Sequence, residues 1–188
     1  MGIIVGITGA SGSIYGVSLI RVLADLGLEV HGIATGMGEK VMEFECGVTK
    51  ADLAPYVTWH DNRDLFAPVA SGSFPIRSMV VAPCSMNTLG ALAAGMGDTL
   101  LSRAAGVTMK EGRKLVVVPR EMPYSVLHLE NMLRLARAGA TILPASPGFY
   151  HKPENMAQLI GHVVGKILDS LAIDHNLYPR WGVARPGK

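Results

Sequence analysis

The chain has 188 residues, a formal net charge of +2 and 17% charged residues. This length is typical of one domain with a substantial core, and the small basic excess excludes a protein that binds nucleic acid mainly through charge. Hydrophobic residues make up 49% of the chain, yet no apolar run approaches the roughly 18 residues that a membrane helix requires. The apolar surplus favours burial between subunits, so we expect a homo-oligomer with no membrane partner.

Cysteine and histidine usage indicates the compartment and argues against a metal site. The two cysteines, Cys46 and Cys84, provide neither a disulfide framework nor metal-ligand spacing, which favours a reducing, cytoplasmic location. The six histidines show no H-x-x-x-H or H-E-x-x-H spacing, so we expect no metal ligands. The first residues, MGIIVGITG, lack the charged region of a signal peptide.

Short β-branched runs alternate with helical stretches along the chain. Strands are predicted at 3–8, 28–35, 56–60, 77–83, 113–119 and 140–145. A helix is predicted from about Ser13 to Leu26, and the strand runs MVVAP and VVVP are apolar throughout, as in strands covered on both faces. This alternation predicts an α/β fold with a mostly parallel sheet and helices on both faces.

A glycine-rich turn, GITGASGSIYG, joins the first predicted strand to the first helix. A strand, a glycine-rich turn and a helix in this order commonly bind phosphate. The spacing is G-x-x-G-x-x-G rather than the dinucleotide-binding G-x-G-x-x-G, and no lysine follows to form a P-loop. On its own, the turn is explained equally well as a tight connection or as a phosphate or flavin contact.

Small, hydroxylated or charged residues follow most of the predicted strands. Ligands of parallel α/β sheets bind beyond the carboxyl ends of the strands, so this pattern predicts a binding site at that edge. Ser85 opens a predicted helix there, where it either caps the helix or helps to hold an anion. Arg120 follows an interior strand between prolines, a position that favours phosphate binding over a surface salt bridge with Glu121.

The pattern leaves three questions open. Glu43 and Glu45 lie in the same helical stretch, KVMEFECG, and the pattern does not say which of them faces the sheet edge. Lys110 and Lys114 flank a turn, EGR, where a solvated face is the default interpretation. Tyr150 follows the last predicted strand and is either a core residue or a residue on the ligand side.

Long runs that include these positions resemble a known family from residue 2 to about residue 181. The runs are GITGASG, ASGSF, VVAPCSMNTLGALAAG, LLSRAAGVTMKEGRKLVVVPREMPYS, HLENMLRLARAGA and PASPGFYHKPENM. They resemble the flavin prenyltransferases of the UbiX/Pad1 type. The resemblance implies a Rossmann-like three-layer subunit that binds flavin, assembled into a dodecamer with active sites between subunits.

The resemblance also implies an activity. Members of this family are metal-independent enzymes that join the dimethylallyl group of dimethylallyl phosphate to N5 and C6 of reduced FMN. The product, prenylated FMN, serves a partner UbiD-type decarboxylase of aromatic and α,β-unsaturated acids. On this basis residues 1–173 are the expected flavin-binding prenyltransferase domain, and 174–188, where periodicity is lost, are the expected C-terminal tail.

Matching the motifs position by position transfers the family's site residues to this chain. The implied FMN contacts are Gly9, Ala10, Ser11, Thr35, Ser85, Met86, Asn87, Thr88 and Arg120. The implied prenyl-phosphate contacts are Ser71, Arg103, Lys110, Arg120, Glu121, Tyr150 and Lys166. The implied catalytic residues are Ser11, Glu45, Lys110 and Glu121.

Two positions depart from the family pattern. Lys166 stands where arginine is common, and a lysine offers a point charge without the bidentate geometry of a guanidinium. Leu65 stands where some members carry a tryptophan over the prenyl pocket, so the aromatic face is missing there. Either change is expected to affect the rate or the accepted prenyl donor.

Two alternative functions are compatible with parts of the sequence. The run PCSMNT also resembles the P-x-S-x-N-T segment of flavin-dependent cysteine decarboxylases, although their early catalytic histidine has no counterpart, since His31 lies on a predicted strand. The second alternative is a non-catalytic flavin carrier subunit of an aromatic acid decarboxylase. Lys110 together with the Arg120–Glu121 pair fits prenyl transfer better than cysteine decarboxylation.

Overall fold

The computed structural model describes residues 1–182. Its strands are β1 (Gly2–Ile7), β2 (Val30–Ala34), β3 (Thr58–His60), β4 (Ile76–Cys84), β5 (Lys114–Pro119) and β6 (Thr141–Ile142). Its helices are α1 (Ser13–Asp25), α2 (Gly36–Cys46), α3 (Lys50–Leu53), α4 (Met86–Ala93), α5 (Leu100–Lys110), α6 (Val126–Arg137) and α7 (Met156–Ser170). A short 3-10 turn, Pro68–Ala70, precedes β4.

All six strands are parallel and form one sheet in the order β3-β2-β1-β4-β5-β6. This confirms the predicted α/β fold with a Rossmann-like topology. The chain adds strands on one side of β1 and then returns to add β4 on the other. Ligands of such sheets bind at this switch point, beyond the carboxyl ends of β1 and β4.

Strands β2, β3 and β6 are clearly shorter than the sequence pattern predicts, and the run at 56–60 yields only Thr58–His60. The apolar run at 28–35 yields only Val30–Ala34, because the chain is still in the turn after α1 at its start. The run at 140–145 yields only Thr141–Ile142. Pro144 has no N–H to offer to a strand ladder, so regular pairing stops ahead of it.

Successive side chains along each strand point to opposite faces of the sheet, so the buried core is divided between the two faces. Ile3, Val5 and Ile7 belong to a buried cluster with side chains of α1 and α7. Ile4 and Val81 belong to a second cluster, which includes side chains of α4 and α5. The two clusters give the three-layer arrangement that the apolar strands predict.

A close contact positions the first helix over the sheet. A Cβ atom added at Gly16 in α1 would lie 2.3 Å from the Ala82 carbonyl oxygen of β4. Only glycine allows the helix backbone to approach β4 this closely. As a result, the glycine-rich turn that precedes α1 lies directly beside the carboxyl end of β4.

The chain after α7 folds back against this helix. Asp169 of α7 contacts His175 at 3.1 Å, Arg180 at 2.6 Å and the hydroxyl of Tyr178. Residues 183–188 of the predicted tail lie outside the described residues. None of the helices in the described part combines the length and hydropathy that crossing a bilayer requires.

Candidate active site

Thr8 joins the carboxyl ends of β1 and β4. Its buried hydroxyl donates a hydrogen bond to the Pro83 carbonyl at 2.8 Å and accepts one from the Ser85 N–H at 2.8 Å. The sequence interpretation did not single out this residue, because its role depends on the adjacency of β1 and β4. A polar residue at the end of an apolar strand is the only signal that the sequence carries. Thr8 fixes the start of α4 beside the glycine-rich turn.

Two predicted flavin residues cap helices at this edge. The Thr35 hydroxyl accepts a hydrogen bond from the Gly38 N–H at 3.0 Å at the start of α2. The Ser85 hydroxyl accepts one from the Thr88 N–H at 3.3 Å at the start of α4. Capping occupies one orphan N–H group of each helix, and the remaining N–H groups of the first turn are suited to an anion.

A cleft of about 390 Å³ lies along the starts of α4 and α5. Its volume falls within the range of small-molecule sites. Its lining contains four of the predicted flavin residues, namely Thr35, Met86, Asn87 and Thr88. These residues come from two helix starts, which the switch in strand order brings to one edge of the sheet.

The glycine-rich turn is shaped for a ligand with a phosphate. A Cβ atom added at Gly9 would lie 2.7 Å from the Met37 side chain, so glycine is needed for the turn to approach α2. Within residues 1–182, the backbone N–H groups of Gly9 and Ala10 donate no hydrogen bond to protein. These groups precede the N-terminus of α1, and the phosphate of FMN fits such a donor set.

Glu45 binds the glycine-rich turn from the end of α2. Its Oε2 atom accepts hydrogen bonds from the N–H groups of Gly12 at 2.8 Å and Ser13 at 3.1 Å. Gly12 has a φ of +100°, a left-handed conformation that favours glycine. This contact identifies Glu45, rather than Glu43, as the carboxylate at the sheet edge.

Arg120 completes the rim cluster, which we define as Ser11, Glu45 and Arg120. Its Nε–H donates a hydrogen bond to the Ser11 carbonyl at 3.1 Å. Partial burial disfavours the ionised form of Glu45, but the Ser11 side chain, the N–H groups of Gly12 and Ser13 and the Arg120 charge lower its pKa below the ordinary value. Glu45 is therefore a carboxylate at neutral pH.

Three predicted substrate residues meet at the 70–75 loop, which leads into β4. The Nε–H of Arg103 in α5 donates to the Ala70 carbonyl at 3.2 Å. A Cβ atom added at Gly72 would lie 3.1 Å from the ammonium of Lys110 at the end of α5. Ser71 lies between these contacts, so the fold brings Ser71, Arg103 and Lys110 together.

Three other predicted substrate residues, Glu121, Tyr150 and Lys166, contact different neighbours. The exposed Glu121 carboxylate accepts the N–H of the next residue at 3.1 Å. Tyr150 is 85% exposed and its ring centroid lies 5.8 Å from that of Trp181. The Lys166 ammonium lies 3.5 Å from a carboxylate on its own helix. Among the described residues, no hydrogen bond or ion pair connects Glu121, Tyr150 or Lys166 with Arg120.

Comparisons with known proteins agree over nearly the whole chain. The profile of the Flavoprotein family matches residues 1–172. A curated relative from Halalkalibacterium halodurans, named flavin prenyltransferase UbiX, is 46% identical over 192 residues, which is 96% of this chain and 93% of the relative.

Solved structures give the same result in three dimensions. The crystal structure of AnUbiX (PadA1) in complex with FMN and dimethylallyl pyrophosphate has a TM-score of 0.94 and 39% identity, and covers 97% of this chain and 98% of that one. A dodecameric FMN-dependent UbiX-like decarboxylase from Escherichia coli O157:H7 has a TM-score of 0.94 and 42% identity, and covers 97% of this chain and all of that one.

The cysteine decarboxylases are much more distant. The FMN-dependent cysteine decarboxylase TvaF from thioviridamide biosynthesis has a TM-score of 0.65 and 20% identity over 92% of this chain and 98% of its own, which is a likeness of fold alone. The close matches, by contrast, combine a TM-score of 0.94 with 39% and 42% identity over 97% of this chain. The chain belongs to the UbiX flavin prenyltransferase family.

Proposed function

We propose that this protein is a flavin prenyltransferase that joins the dimethylallyl group of dimethylallyl phosphate to N5 and C6 of reduced FMN. The observation that carries the proposal is the rim cluster. It combines an ionised carboxylate and a guanidinium at the same sheet edge as the cleft lined by Thr35 and the first turn of α4. A proton acceptor, a phosphate-binding cation and a flavin-sized cleft are the parts that this reaction requires.

FMN would bind along the carboxyl ends of β1 and β4. The N–H groups of Gly9 and Ala10 suit its phosphate, and Thr35 and residues 85–88 line the cleft for the rest of the molecule. When bound in its reduced form, FMN supplies the nucleophilic N5 and C6 atoms of the reaction.

Cationic side chains would bind the phosphate of the second substrate. The leaving phosphate carries negative charge that must be stabilised as the allylic bond breaks. Within residues 1–182, the Arg120 side chain makes one hydrogen bond to protein, through its Nε–H. The two terminal Nη groups are therefore available to bind a phosphate. Arg103, Lys110 and Lys166 would add positive charge, and Ser71, Glu121 and Tyr150 would complete the pocket. Ser71 and Lys110 precede the amino ends of β4 and β5, whereas Arg120 follows the carboxyl end of β5, so Ser71 and Lys110 would come from a neighbouring subunit.

Glu45 would accept the proton that is lost as the second bond to the flavin forms. Its lowered pKa keeps it ionised at neutral pH, and the Gly12 and Ser13 N–H groups hold its carboxylate at the rim. Ser11 is next to this carboxylate and would relay or orient the proton. A pocket closed to water would keep the allylic group from reacting with solvent.

Burial of this pocket would come from assembly. The outer face of α6 exposes Val126, Leu127, Leu129 and Leu133, an apolar surface suited to subunit contacts. We propose a homo-oligomer, specifically a dodecamer, in which Tyr150 and Lys166 complete the site of a neighbouring subunit. We further propose a cytoplasmic location and a functional link to a UbiD-type decarboxylase that uses the prenylated FMN.

One experiment tests the activity directly. The protein is incubated with reduced FMN and dimethylallyl phosphate under anaerobic conditions, and the flavin is then analysed by mass spectrometry. Addition of one dimethylallyl unit is the expected result, and unchanged FMN would indicate a flavin carrier. Release of carbon dioxide from a peptide ending in cysteine, with FMN present, would instead support a cysteine decarboxylase.

A further inference from the structure

Arg113 lies between α5 and β5, at a helix end whose backbone is fixed. Gly112 has a φ of +65°, and its N–H donates to the Met109 carbonyl at 3.0 Å, while the Arg113 N–H donates to the Thr108 carbonyl at 2.9 Å. This is the Schellman arrangement, in which glycine supplies the left-handed residue. Because β5 begins at the next residue, the backbone of Arg113 is held from both sides.

The guanidinium of Arg113 binds the 70–75 loop through its backbone. Its Nη1 atom donates to the Phe74 carbonyl at 3.1 Å, and its Nη2 atom donates to the Gly72 carbonyl at 2.7 Å. Arg103 donates to the Ala70 carbonyl of the same loop. Two arginines therefore hold three alternate carbonyl groups of a short segment that is rich in glycine and serine.

The held loop carries polar groups that face the end of α5. The hydroxyl oxygens of Ser71 and Ser73 lie 2.9 Å apart. At Gly72 the backbone comes close to Lys110 and its ion-pair partner Glu111. The distance between the Ser71 hydroxyl and the Lys110 ammonium therefore depends on where the loop is held.

We infer that Arg113 is a positioning residue, which holds the 70–75 loop so that Ser71 and Lys110 bind the phosphate of the prenyl substrate together. The inference rests on the proposed function. Loss of Arg113 should therefore affect binding of the prenyl substrate and not of FMN. Within residues 1–182, the hydrogen bonds of its side chain go to this loop and not to the rim cluster or to the flavin cleft.

The test measures kinetics in the intact oligomer with both substrates varied. Arg113→Ala is expected to raise KM for dimethylallyl phosphate about tenfold, which corresponds to the loss of roughly one charge-assisted hydrogen bond. The dissociation constant of FMN is expected to stay within about twofold, and kcat is expected to change less than KM. Arg113→Lys keeps the charge but lacks the rigid fork of a guanidinium, and it is expected to give an intermediate KM.

Arg77 offers a matched control. Its Nη2 atom also donates to two backbone carbonyls, those of Leu171 at 2.9 Å and Ala172 at 3.2 Å, in the segment that follows α7. Arg77→Ala should leave KM for both substrates unchanged. If Arg113→Ala leaves KM for dimethylallyl phosphate unchanged, or weakens FMN binding equally, the inference is wrong.

Hydrogen exchange separates this inference from the proposed function. Amide exchange in residues 70–76 should accelerate in Arg113→Ala and Arg113→Lys, but not in Arg77→Ala, whether or not the protein turns over. Unchanged exchange in the loop contradicts the inference even if the wild type is active. A wild type that forms no prenylated FMN, with the exchange behaving as expected, contradicts the function and leaves Arg113 as a structural residue only.

Discussion

The rim cluster and the polar network around Asp169 are both built from ionised groups, but they are assembled differently. In the rim cluster, Arg120 reaches a residue 109 positions away, and Glu45 reaches one 33 positions away. Around Asp169, the partners His175, Tyr178 and Arg180 are 6 to 11 positions away. The first set exists only because the sheet brings distant strand ends together, whereas the second ties a local segment to its own helix.

The two regions also differ in which side-chain donor groups are available to bind a ligand. The terminal Nη groups of Arg120 make no protein contact among the described residues, and Glu45 is held mainly by backbone N–H groups. Around Asp169, Arg180 contributes both Nη atoms to protein partners, and Lys166 contributes its ammonium to the same carboxylate. We therefore expect substitutions in the rim cluster to affect catalysis and those of Asp169, Tyr178 and Arg180 to affect mainly stability.

The largest expected effect is that of Arg120→Ala. It removes the hydrogen bond to Ser11 and the cation proposed to bind the phosphate, so the rate of FMN prenylation should fall by about 10³-fold or more. The rate is measured from the mass of the flavin product. Arg63→Ala is the matched control, since the side-chain hydrogen bonds of this exposed guanidinium within residues 1–182 go only to Asp61, and it should retain wild-type activity. A loss of less than tenfold in Arg120→Ala would remove this residue from the proposed chemistry.

Glu45→Gln should have the next largest effect. The amide keeps the size of the side chain but cannot accept the proton, so kcat should fall by about 10²-fold while FMN binding is retained. Glu43→Gln, on the same helix, is the control and should be neutral. Because the pKa of Glu45 is lowered, the wild-type kcat should not fall with acid until the pH is below the usual range for a glutamate. Loss of kcat already near neutral pH would point to another base.

Mixed oligomers test whether the two regions act on one site across a subunit boundary. Lys166→Glu reverses a charge that the proposal assigns to a neighbour's substrate, and kcat/KM should fall by about tenfold or more. The Lys166→Glu and Glu45→Gln variants are unfolded, mixed in equal amounts and refolded together. If each site takes Glu45 from one subunit and Lys166 from another, about a quarter of the sites should contain neither substitution. Activity that remains at the average of the two variants would indicate that both residues serve the site of their own chain.

The same contrast explains which features could be predicted from the sequence. The parallel sheet follows from apolar strands that alternate with helices, and the place of Arg120 at the sheet edge follows from its position directly after one of those strands. The choice between Glu43 and Glu45 could not be made, because both lie on the exposed part of α2, and only the position of the Gly12 N–H group distinguishes them.

Contacts between segments were not predictable in the same way. Thr8 and Arg113 bind backbone carbonyls of segments distant in sequence, and backbone acceptors leave no residue-specific signal. The network around Asp169 was missed for a different reason. Loss of periodicity after residue 173 predicts a tail, and hydrogen bonds from side chains of an irregular segment do not produce periodicity.

The smallest expected effect is that of Asp169→Asn, and it should appear in stability rather than in catalysis. Burial disfavours the charged carboxylate, but hydrogen bonds from Tyr178, Arg180 and His175 lower the pKa of Asp169 from 3.8 to about 2. Since the pKa is lower in the folded state, the stabilisation is complete above about pH 4 and is lost as the pH falls toward about 2. Solvent exposure reduces the contribution, so we expect about 1 kcal/mol at neutral pH.

Thermal unfolding as a function of pH checks this expectation. At pH 7 the unfolding midpoint of Asp169→Asn should lie about 2–4 °C below that of the wild type, and the two should converge toward pH 2. Tyr178→Phe removes one donor and keeps the carboxylate, so its midpoint should lie between them. Prenylation by Asp169→Asn should stay within about twofold of the wild type, because the charge of Lys166 is retained. If activity falls as far as in Glu45→Gln, then the Asp169 network also shapes the substrate site, and the division between a catalytic and a structural region is wrong.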